Sequence, residues 1–529
     1  MPEHVPGEPR QLAHDVVIVG SGAGGGTMAH ALAGSGLSVL LLERGGWLPM
    51  EPQNADPVEV WQKLRYRADE PWVNRRDEQF RPFMHYVVGG NTKMWGAALL
   101  RLRESDFGEV QHAEGVSPAW PIGYADLAPW YDAAERLYQV HGETGDPTDP
   151  PRGEFPHPAV PHEPTMAEVV ERMRADGLHP HALPLGLVDP GSGGCVLCST
   201  CNSFPCKVRG KADTDVVCVT DAIKADNVTL WTGARVRRLI TDAPGARVRA
   251  LEVEVDGETL VVEAGTVVLA AGAVNSSALL LGSATDRHPR GLANSSDLVG
   301  RRYMAHIATM MEAVHPTKVN PTVFAKTVMI NDFYAPGPGR PHPLGHIQSQ
   351  GRAHAAIVQG VMPGIPMRLA EAWVARGVDW LAMSEDLPDP ENRVSLTPGE
   401  GKIKLEYRIN NLGAHQQLVR ETVRLLKRAG FWGVVRHRFK NENTTHQCGT
   451  ALFGHDPRTS VLDTWCRTHD VENLYVVDGS FFPSSGAVNP GLTIIAQALR
   501  VADHLKREVL QHQTSQTHQS SLTRPEGAA

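Results

Sequence analysis

The stretch His14-Asp15-Val16-Val17-Ile18-Val19-Gly20-Ser21-Gly22-Ala23-Gly24-Gly25 decides the fold of this chain. Its first half is a run of apolar, mostly β-branched residues, which indicates a buried strand. In the second half, Gly20 permits a tight turn, Gly22 allows a pyrophosphate to approach the backbone, and Gly25 lets a helix pack closely on the strand. The stretch therefore predicts a strand, a phosphate-binding turn and the start of a helix.

The residues that follow complete a dinucleotide-binding unit. A predicted helix over residues 26–33 and a second predicted strand over residues 38–42 lead to Glu43, which lies 18 positions beyond Gly25. This is the separation expected of a carboxylate that bonds the adenosine ribose. The run Glu43-Arg44-Gly45-Gly46 resembles the end of the second strand in many FAD enzymes. It therefore favours FAD over NAD.

The composition is that of a globular chain. Hydrophobic residues make up 41% and charged residues 21% of the 529 residues, and this length predicts roughly two to four domains. A net charge of -8 and a pI near 6.3 argue against nucleic acid as the main partner. No apolar run reaches the ~18 residues needed to span a bilayer, and the N-terminus lacks the features of a signal peptide. We therefore expect a soluble cytoplasmic protein without a membrane partner.

A second strand-rich region lies in the middle of the chain. The pattern of apolar residues and turn signals predicts a strand formed by residues 228–231 and 234–236, a hairpin of strands 248–255 and 258–262, and a buried strand over residues 266–270. The last of these meets Ala271-Gly272-Ala273-Val274-Asn275-Ser276-Ser277, which we interpret as a turn, and an apolar helix is predicted from Ala278 onward. The cofactor domain is therefore expected to be assembled from separated segments.

The predicted fold class is α/β, with a discontinuous Rossmann-type FAD domain and a substrate domain whose mixed or antiparallel sheet is flanked by helices. The predicted segments are 1–60, 195–309 and 436–508 for the FAD domain, 61–194 and 310–435 for the flavin loop and substrate domain, and 509–529 for a polar tail. This tail is rich in Gln, Ser, Thr and His. Such a composition is typical of disordered segments.

Near the C-terminus, Thr445-His446-Gln447-Cys448-Gly449-Thr450 is followed by Asn489-Pro490. The apolar spacing after Pro490 predicts a helix with Pro490 at its first position, where the missing N–H costs nothing. A helix start attracts an anion, and a reduced flavin is one. His446 offers a base and Asn489 an orienting amide. A structural histidine and an ordinary buried helix remain the alternatives.

Taken together, these motifs resemble the glucose-methanol-choline (GMC) oxidoreductases. The resemblance rests on residues 20–25 with Glu43, on Val88-Gly89-Gly90-Asn91-Thr92-Lys93-Met94-Trp95-Gly96, on the turn at 272–277, and on the block with His446 and Asn489. These elements cover nearly the whole chain in the order of the family. The loop and the pattern His446-x-x-Gly449-Thr450 are most similar to bacterial pyranose oxidases and glycoside 3-oxidases.

The resemblance implies FAD-dependent oxidation of a secondary alcohol, at C2 or C3 of a pyranose or glycoside, to a ketone. His446 would take the hydroxyl proton while hydride passes to flavin N5, and Asn489 would orient the substrate oxygen. The electron acceptor would be O2, giving H2O2, or a quinone. The implied cofactor contacts are Gly20, Gly22, Ala23, Gly25, Glu43, Arg44, Gly89, Gly90, Asn91, Thr92, Met94, Val236, Ala271, Gly272, Asp478, Gly479, Asn489 and Pro490.

Met94 bears on how the flavin is held. Fungal pyranose oxidases carry a histidine joined covalently to FAD at the place where this chain has Met94. A thioether cannot form that bond. We therefore predict that FAD is bound without a covalent link.

Four cysteines, Cys195, Cys198, Cys201 and Cys206, form a C-x2-C-x2-C-x4-C run. The spacing is close to that of ferredoxins and suggests a rival function, an FAD sugar dehydrogenase that passes electrons through an iron–sulfur cluster to a cytochrome. The spacing departs from those enzymes, so a cluster is not favoured and no metal ligand is predicted. The other interpretations of the run are a cluster of reduced thiols, a zinc site or a local disulfide. Oxidation of a non-sugar alcohol is a further alternative.

The residues that determine substrate specificity are less evident from the sequence. Gln348 and Gln350 lie on one face of a predicted strand over residues 345–350, and amides suit hydroxyl-rich ligands. These two residues and Arg352 are candidates, although a solvent-facing strand edge explains the pattern equally well. Residues 360–376 are either a mobile lid or a packed helix.

Overall fold

The computed structural model describes residues 10–440, 442 and 444–522. Its α-helices are α1 Ala23–Leu32, α2 Tyr124–Leu137, α3 Pro164–Ala175, α4 Thr220–Ala222, α5 Ala273–Gly282, α6 Ala355–Val361, α7 Met367–Val374, α8 Leu412–Arg428 and α9 Gly491–Leu522. Its first eleven strands are β1 Ala13–Val19, β2 Val39–Leu42, β3 Trp72–Asn74, β4 Gln79–Phe80, β5 Val110–Gln111, β6 Val116–Ser117, β7 Val140–Gly142, β8 His157–Pro158, β9 Pro180–Ala182, β10 Leu185–Gly186 and β11 Val228–Trp231. The remaining strands are β12 Arg235–Thr241, β13 Val248–Val255, β14 Glu258–Leu269, β15 Ile307–Val314, β16 Val328–Ile330, β17 His346–Ser349, β18 Gly377–Ser384, β19 Arg393–Leu396, β20 Ile403–Glu406, β21 Gly433–Arg438 and β22 Leu474–Val476.

The first large sheet has the order β11-β2-β1-β14-β13-β12, and β22 pairs with β14 as well. Strands β11, β2, β1, β14 and β22 run parallel, with Val16 opposite both Val39 and Thr266. Their apolar residues are buried on both faces, as expected of a parallel sheet covered by helices. The α/β fold that the sequence predicts is therefore confirmed, and strands from distant segments build this sheet.

Strand β14 joins the two halves of this sheet. Its residues 258–263 pair with β13 in a hairpin, and residues 267–269 pair with β1 on one side and β22 on the other. The sequence predicts two separate strands here, over residues 258–262 and 266–270. The structure has one continuous strand, because each half finds partners and no turn is needed between them.

Two predicted helix starts shift by a few residues. Helix α5 begins at Ala273 instead of Ala278, because Gly272 adopts a φ of +91° and makes the turn by itself. Helix α9 begins at Gly491, one residue after the predicted start, and the carbonyl of Pro490 accepts the N–H of Ile494. Pro490 therefore caps the helix from the position just before it.

The second large sheet has the order β21-β15-β18-β17-β16-β9 and is antiparallel throughout. Helix α8 packs on it with an apolar face that includes Leu418, Leu425 and Leu426, and α3 covers α8. The sheet extends from Ile307 to Arg438 in its later strands, slightly beyond the predicted segment 310–435. Strand β17 lies inside it and is fully buried, so the interpretation as a solvent-facing edge is wrong.

At the C-terminus, helix α9 packs between α1 and α2 and continues to Leu522. The sequence predicts disorder from residue 509 onward, so the helix runs further than predicted. A helix that is already nucleated by packing propagates through polar residues at little cost. Residues 523–529 of that predicted tail lie outside the described residues. Within the described chain, no helix is both long and apolar enough to cross a membrane.

Candidate active site

A cavity of about 590 Å³ lies between the two large sheets, where β1, β2 and β14 end. The segment that enters from the first sheet carries the glycine turn, and the segment from the second sheet carries Gln348 and Gln350. Of the residues that the sequence assigns to the cofactor and to catalysis, all line this cavity except Gly25 and Gly89. The fold thus brings together residues from nearly the whole length of the chain.

The glycine turn has the geometry that the sequence predicts. Gly20 has a φ of +98°, and a Cβ there would lie 2.6 Å from the carbonyl oxygen of Ala270. A Cβ on Gly25 would lie 1.9 Å from the oxygen of Gly20, so this glycine serves the contact between helix and strand. A Cβ on Gly22 would meet no atom within 4 Å. Gly22 therefore leaves open space at the start of α1, where backbone N–H groups attract phosphates.

Glu43 ties three loops together beneath the cavity. Its Oε2 accepts from the backbone N–H of Ser21 at 3.1 Å and from the Ser21 hydroxyl at 2.6 Å, and its Oε1 accepts from the N–H of Gly45 at 2.9 Å. The Ser21 oxygen in turn accepts from the N–H of Gly89 at 3.0 Å. A carboxylate has about four acceptor positions. Three are used here, so Glu43 retains room for one further donor, such as a ribose hydroxyl.

The loop over residues 88–96 lies along the cavity, and some of its polar side chains bond to the surrounding protein. Gly89 has a φ of +88°. The amide oxygen of Asn91 accepts from the backbone N–H of His85 at 3.0 Å, and the Thr92 hydroxyl donates to the carbonyl of Gly89 at 2.6 Å. Met94 is buried. The polar side chains thus hold the loop in position at the cavity wall.

Asp478 connects the C-terminal segment to the turn before α5. Its Oδ2 accepts from the N–H of Gly272 at 2.9 Å and from the hydroxyl of Ser276, and its Oδ1 accepts from the N–H of Ser480 at 2.9 Å. Burial raises the pKa of this carboxyl, and these donors oppose that rise. Asp478 therefore fixes the positions of Gly272 and Gly479 at the cavity wall.

His446 and Asn489, 43 positions apart in the chain, lie side by side at the cavity wall. The amide Nδ2 of Asn489 lies 3.3 Å from Nε2 of His446. His446 has a φ of +55°, a left-handed conformation that is uncommon for a residue with a side chain. Burial lowers the pKa of His446 well below its ordinary value, and the nearby groups His306 and Lys326 lower it further. The imidazole is therefore neutral at pH 7.

His306, at the start of β15, is a site residue that the sequence does not reveal. Its Nε2 lies 3.0 Å from the carbonyl oxygen of Gly486 and its Nδ1 lies 3.0 Å from Nδ1 of His446. A carbonyl only accepts, so Nε2 of His306 carries the proton. Burial lowers the pKa of His306 to about 4, which leaves its Nδ1 as an acceptor. The proton of His446 is therefore on Nδ1, and its Nε2 presents a lone pair toward Asn489.

Lys326 and Asn202 also line the cavity and are not evident in the sequence. The ammonium of Lys326 donates to Oδ1 of Asn202 at 2.9 Å and to Oε1 of Gln350 at 3.4 Å. Gln348 and Gln350 are both buried and line the cavity. Arg352, the third candidate, is not among the lining residues. Within residues 360–376 the chain forms helix α7. No described residue of this segment lines the cavity.

All seven cysteines are free. In the cysteine run, the backbone N–H of Leu197 donates to Sγ of Cys195 at 3.5 Å, and that of Gly210 donates to Sγ of Cys206 at 3.2 Å. Among the residues described here, no three His, Cys, Asp or Glu side chains are grouped as around a metal ion. Cys448, close to His446 in sequence, is buried away from the cavity wall.

The comparisons with known proteins agree with this geometry. Residues 15–308 and 388–498 match the N- and C-terminal domains of the family described as GMC oxidoreductase. The chain belongs to the GMC oxidoreductase family. It is thus an oxidoreductase that acts on CH–OH groups, and the family assignment supports FAD as its cofactor.

Individual GMC relatives align over most of the chain. The 6'''-hydroxyparomomycin C oxidase of Streptomyces lividus is 32% identical, with 94% of this chain and 93% of that protein covered. The fructose dehydrogenase large subunit of Gluconobacter japonicus is 29% identical, with 94% and 99% covered. The crystal structure of pyridoxine 4-oxidase from Mesorbium loti superposes with a TM-score of 0.65 at 21% identity and covers 93% of this chain and 99% of that one. This last likeness concerns the fold.

The residues present fit the dinucleotide cofactor of a GMC enzyme. The open space beside Gly22 at the helix start suits a pyrophosphate, and Glu43 has an acceptor position left for a hydroxyl. At the other end of the cavity, Oδ1 of Asn489 and Nε1 of Trp95 are buried without a hydrogen-bond partner within the described chain. Buried polar atoms are rarely left in this state, which points to a bound molecule as their partner.

Proposed function

We propose that this GMC oxidoreductase oxidises a secondary hydroxyl, at C2 or C3, of a pyranose sugar or of the sugar part of a glycoside. The single observation that carries the proposal is the pairing of Nε2 of His446 with Nδ2 of Asn489 in a cavity lined by Gln348, Gln350 and Asn202. The pairing offers a base and a donor for one alcohol oxygen. The three amides offer both donors and acceptors for further hydroxyls.

In this proposal His446 accepts the proton of the reacting hydroxyl at Nε2, the nitrogen that the contact with His306 leaves unprotonated. Asn489 donates to the same oxygen and keeps it within reach of Nε2. A neutral histidine within hydrogen-bond reach is the usual general base near pH 7. FAD, when bound, supplies an acceptor for the hydride that leaves the carbon.

The cofactor would be held by the residues around the glycine turn, by the loop over 88–96 and by the C-terminal segment. In this proposal Gly22 and Ala23 receive the pyrophosphate, Glu43 the ribose, and Asp478 with Gly479 the ribitol side. Because Met94 stands beside the cavity and a thioether does not form the histidyl link, the flavin is held without a covalent bond. The acceptor of its electrons is O2 or a quinone.

The names of the relatives support the sugar class. The fructose dehydrogenase subunit is named for a sugar, and the hydroxyparomomycin oxidase for a glycoside. We also propose the domain division 1–60, 195–309 and 436–508 against 61–194 and 310–435, since the two large sheets draw most of their strands from these two sets.

The proposal is tested by anaerobic flavin reduction with glucose, xylose and aryl glucosides. We expect His446→Ala and Asn489→Ala to keep FAD bound and to lower the rate of reduction by about 10² or more for the histidine, the range of a lost general base. His455, an exposed histidine bonded to the carbonyl of Pro121, gives the matched control His455→Ala. An unchanged rate of flavin reduction in the His446 variant would contradict the role of His446 as the base. If none of the sugars reduces the flavin of the wild type, the proposed substrate class is wrong.

A panel under air and without oxygen resolves the finer points. Peroxide formation identifies an oxidase, and quinone reduction a dehydrogenase. NMR of the product distinguishes the C2 ketone from the C3 ketone. Iron analysis of the purified protein tests the rival dehydrogenase, since stoichiometric iron with a broad absorbance beneath the flavin bands would place a cluster at Cys195, Cys198, Cys201 and Cys206.

A further inference from the structure

A buried ammonium group faces the end of the cavity where His446 and Asn489 lie. Lys326 precedes strand β16 and is only 2% exposed. Its two hydrogen-bond acceptors, Oδ1 of Asn202 and Oε1 of Gln350, belong to neutral amides. Within the part of the chain that the structure describes, no carboxylate forms an ion pair with it. A buried cation without an anionic partner is costly and uncommon.

The local packing shows that this position is built for the lysine. A Cβ on Gly96 would lie 2.1 Å from Nζ of Lys326 and 2.3 Å from Oδ1 of Asn202. The loop over 88–96 therefore carries a glycine where the ammonium needs space. The ammonium and the amide are held in place on both sides, by this loop and by Gln350.

The carboxylates that line the cavity are used elsewhere. They are Glu43, Glu70 and Asp478. Glu43 and Asp478 accept from backbone and serine groups of the cofactor half, and Glu70 is paired with Arg44 and Arg235. The charge of Lys326 is thus not balanced by the acids of the cavity wall.

The ammonium keeps its charge near neutral pH. Burial lowers the pKa of Lys326 to about 8, with Lys211 lowering it further and Cys201 opposing the fall. Lys326 also contributes to the lowered pKa of His446, which places the two side chains within electrostatic reach. Two unit charges ~6 Å apart at an effective dielectric constant of about 20 change a binding constant by roughly a hundredfold.

We propose that Lys326 makes the substrate end of the cavity select neutral and carboxylate-bearing sugars over sugars that carry a protonated amine. A carboxylate or a sugar hydroxyl supplies an acceptor for the third N–H of the ammonium, beyond the two amide oxygens. A protonated amine brings a like charge into a buried site, where solvent screens it weakly. This inference rests on the proposed oxidation of sugars and names the class of sugar.

The test uses the FAD-loaded enzyme and three sugars that differ only at C6, namely D-glucose, 6-amino-6-deoxy-D-glucose and D-glucuronate. D-Glucosamine is added to place the amine at C2. Values of kcat/KM are measured at pH 6.5, where both amines are protonated, for the wild type, Lys326→Met and Lys326→Arg. Lys224, an exposed lysine paired with Asp221, gives the control Lys224→Met. The content of bound FAD in each variant reports that it is folded.

For the wild type we expect the amino sugars to be at least about tenfold poorer than glucose, and glucuronate to be as good or better. Lys326→Met should reduce the penalty on the amino sugars by about tenfold and weaken glucuronate, while Lys326→Arg and Lys224→Met should keep the wild-type order. Equal use of glucose and the amino sugars by the wild type, or an unchanged order in Lys326→Met, would overturn the inference.

If the proposed function is wrong, the same sugars give a different experimental result. If no sugar reduces the flavin, the dissociation constants of the same four sugars are measured by quenching of tryptophan fluorescence. A charge order that Lys326→Met abolishes then supports the selection by Lys326, although the reaction is another one. Binding without a charge order, or no binding at all, overturns the inference together with the proposed substrate class.

Discussion

The Nδ1 atoms of His306 and His446 lie 3.0 Å apart, although the residues are 140 positions apart in the chain. One of the two nitrogens must carry a proton and the other must not. The carbonyl of Gly486 can only accept a hydrogen bond, so Nε2 of His306 carries the proton of that neutral ring. Nδ1 of His306 is then the acceptor, and Nδ1 of His446 is the donor. This order of protons fixes the tautomer of both rings and leaves the lone pair of His446 on Nε2. His306 thus positions the proposed base without touching the reacting atoms.

This order of protons predicts different outcomes for two variants of His306. In His306→Gln, an amide oxygen can accept from His446 and an amide N–H can donate to Gly486, so the rate of flavin reduction should stay within about threefold of the wild type. In His306→Phe, the tautomer of His446 is no longer fixed, and the rate should fall by about tenfold or more. Anaerobic stopped-flow measurements at saturating sugar provide the rates.

A purely structural role for His306 would give another pattern. Both variants would then lose FAD or thermal stability together, and their remaining activity would keep the pH dependence of the wild type. Equal rates in the glutamine and phenylalanine variants would contradict the positioning role.

The pH dependence of flavin reduction should reflect the lowered pKa of His446. A histidine whose pKa lies well below its ordinary value stays neutral, and hence basic, as the pH falls through 6.5. The rate should therefore be flat between pH 7 and pH 6 and decline only in more acidic solution. Because Lys326 contributes to the low pKa, Lys326→Met should move the decline to higher pH. A decline in the wild type centred near pH 6.5 would contradict the lowered pKa of His446.

Two alanine substitutions should separate binding from folding at the glycine turn. Gly22→Ala adds a Cβ that meets no protein atom within 4 Å, so the apoprotein should keep its melting temperature while FAD binds about tenfold more weakly or worse. Gly25→Ala places the same atom 1.9 Å from the oxygen of Gly20 and should destabilise the protein by about 1–3 kcal/mol. Thermal unfolding of the apoproteins and FAD titration give the two quantities. Equal melting temperatures for the two variants would count against this account of the turn.

Acid precipitation shows whether the flavin is covalently bound to the protein. With Met94 at the cavity wall and no histidine in its place, the flavin absorbance should appear in the supernatant. The protein pellet should be colourless. A yellow pellet after washing would show a covalent link and would require another attachment residue.

The dinucleotide half of the site was predictable from sequence because its physics is local. The strand, the turn at Gly20 and Gly22, and Glu43 all lie within about 30 residues, and each needs a particular residue type for a steric or hydrogen-bonding reason. For His446 and Asn489 the sequence indicates a candidate base and amide, and the family resemblance implies their catalytic roles. Their distance of 3.3 Å is a property of the fold.

His306 and Lys326 could not be predicted in the same way. Their partners come from remote segments, with 140 positions between His306 and His446 and 124 between Lys326 and Asn202. No periodicity or spacing links such pairs. The start of α5 differs from the sequence prediction for a related reason, since its first turn contains Ser276, which donates to Asp478 from the far end of the chain.

The long strand β14 needs β1 on one side and β22 on the other, and these partners come from the two ends of the chain. A ribosome makes residues 13–19 and 258–269 long before it reaches residues 474–476. Until then one edge of β14 has no neighbour, and an unpaired strand edge is a template for association with other chains. Residues 267–269 of the nascent protein thus keep one edge unpaired for roughly a third of synthesis, and we expect this delay to make production sensitive to temperature and to chaperone supply.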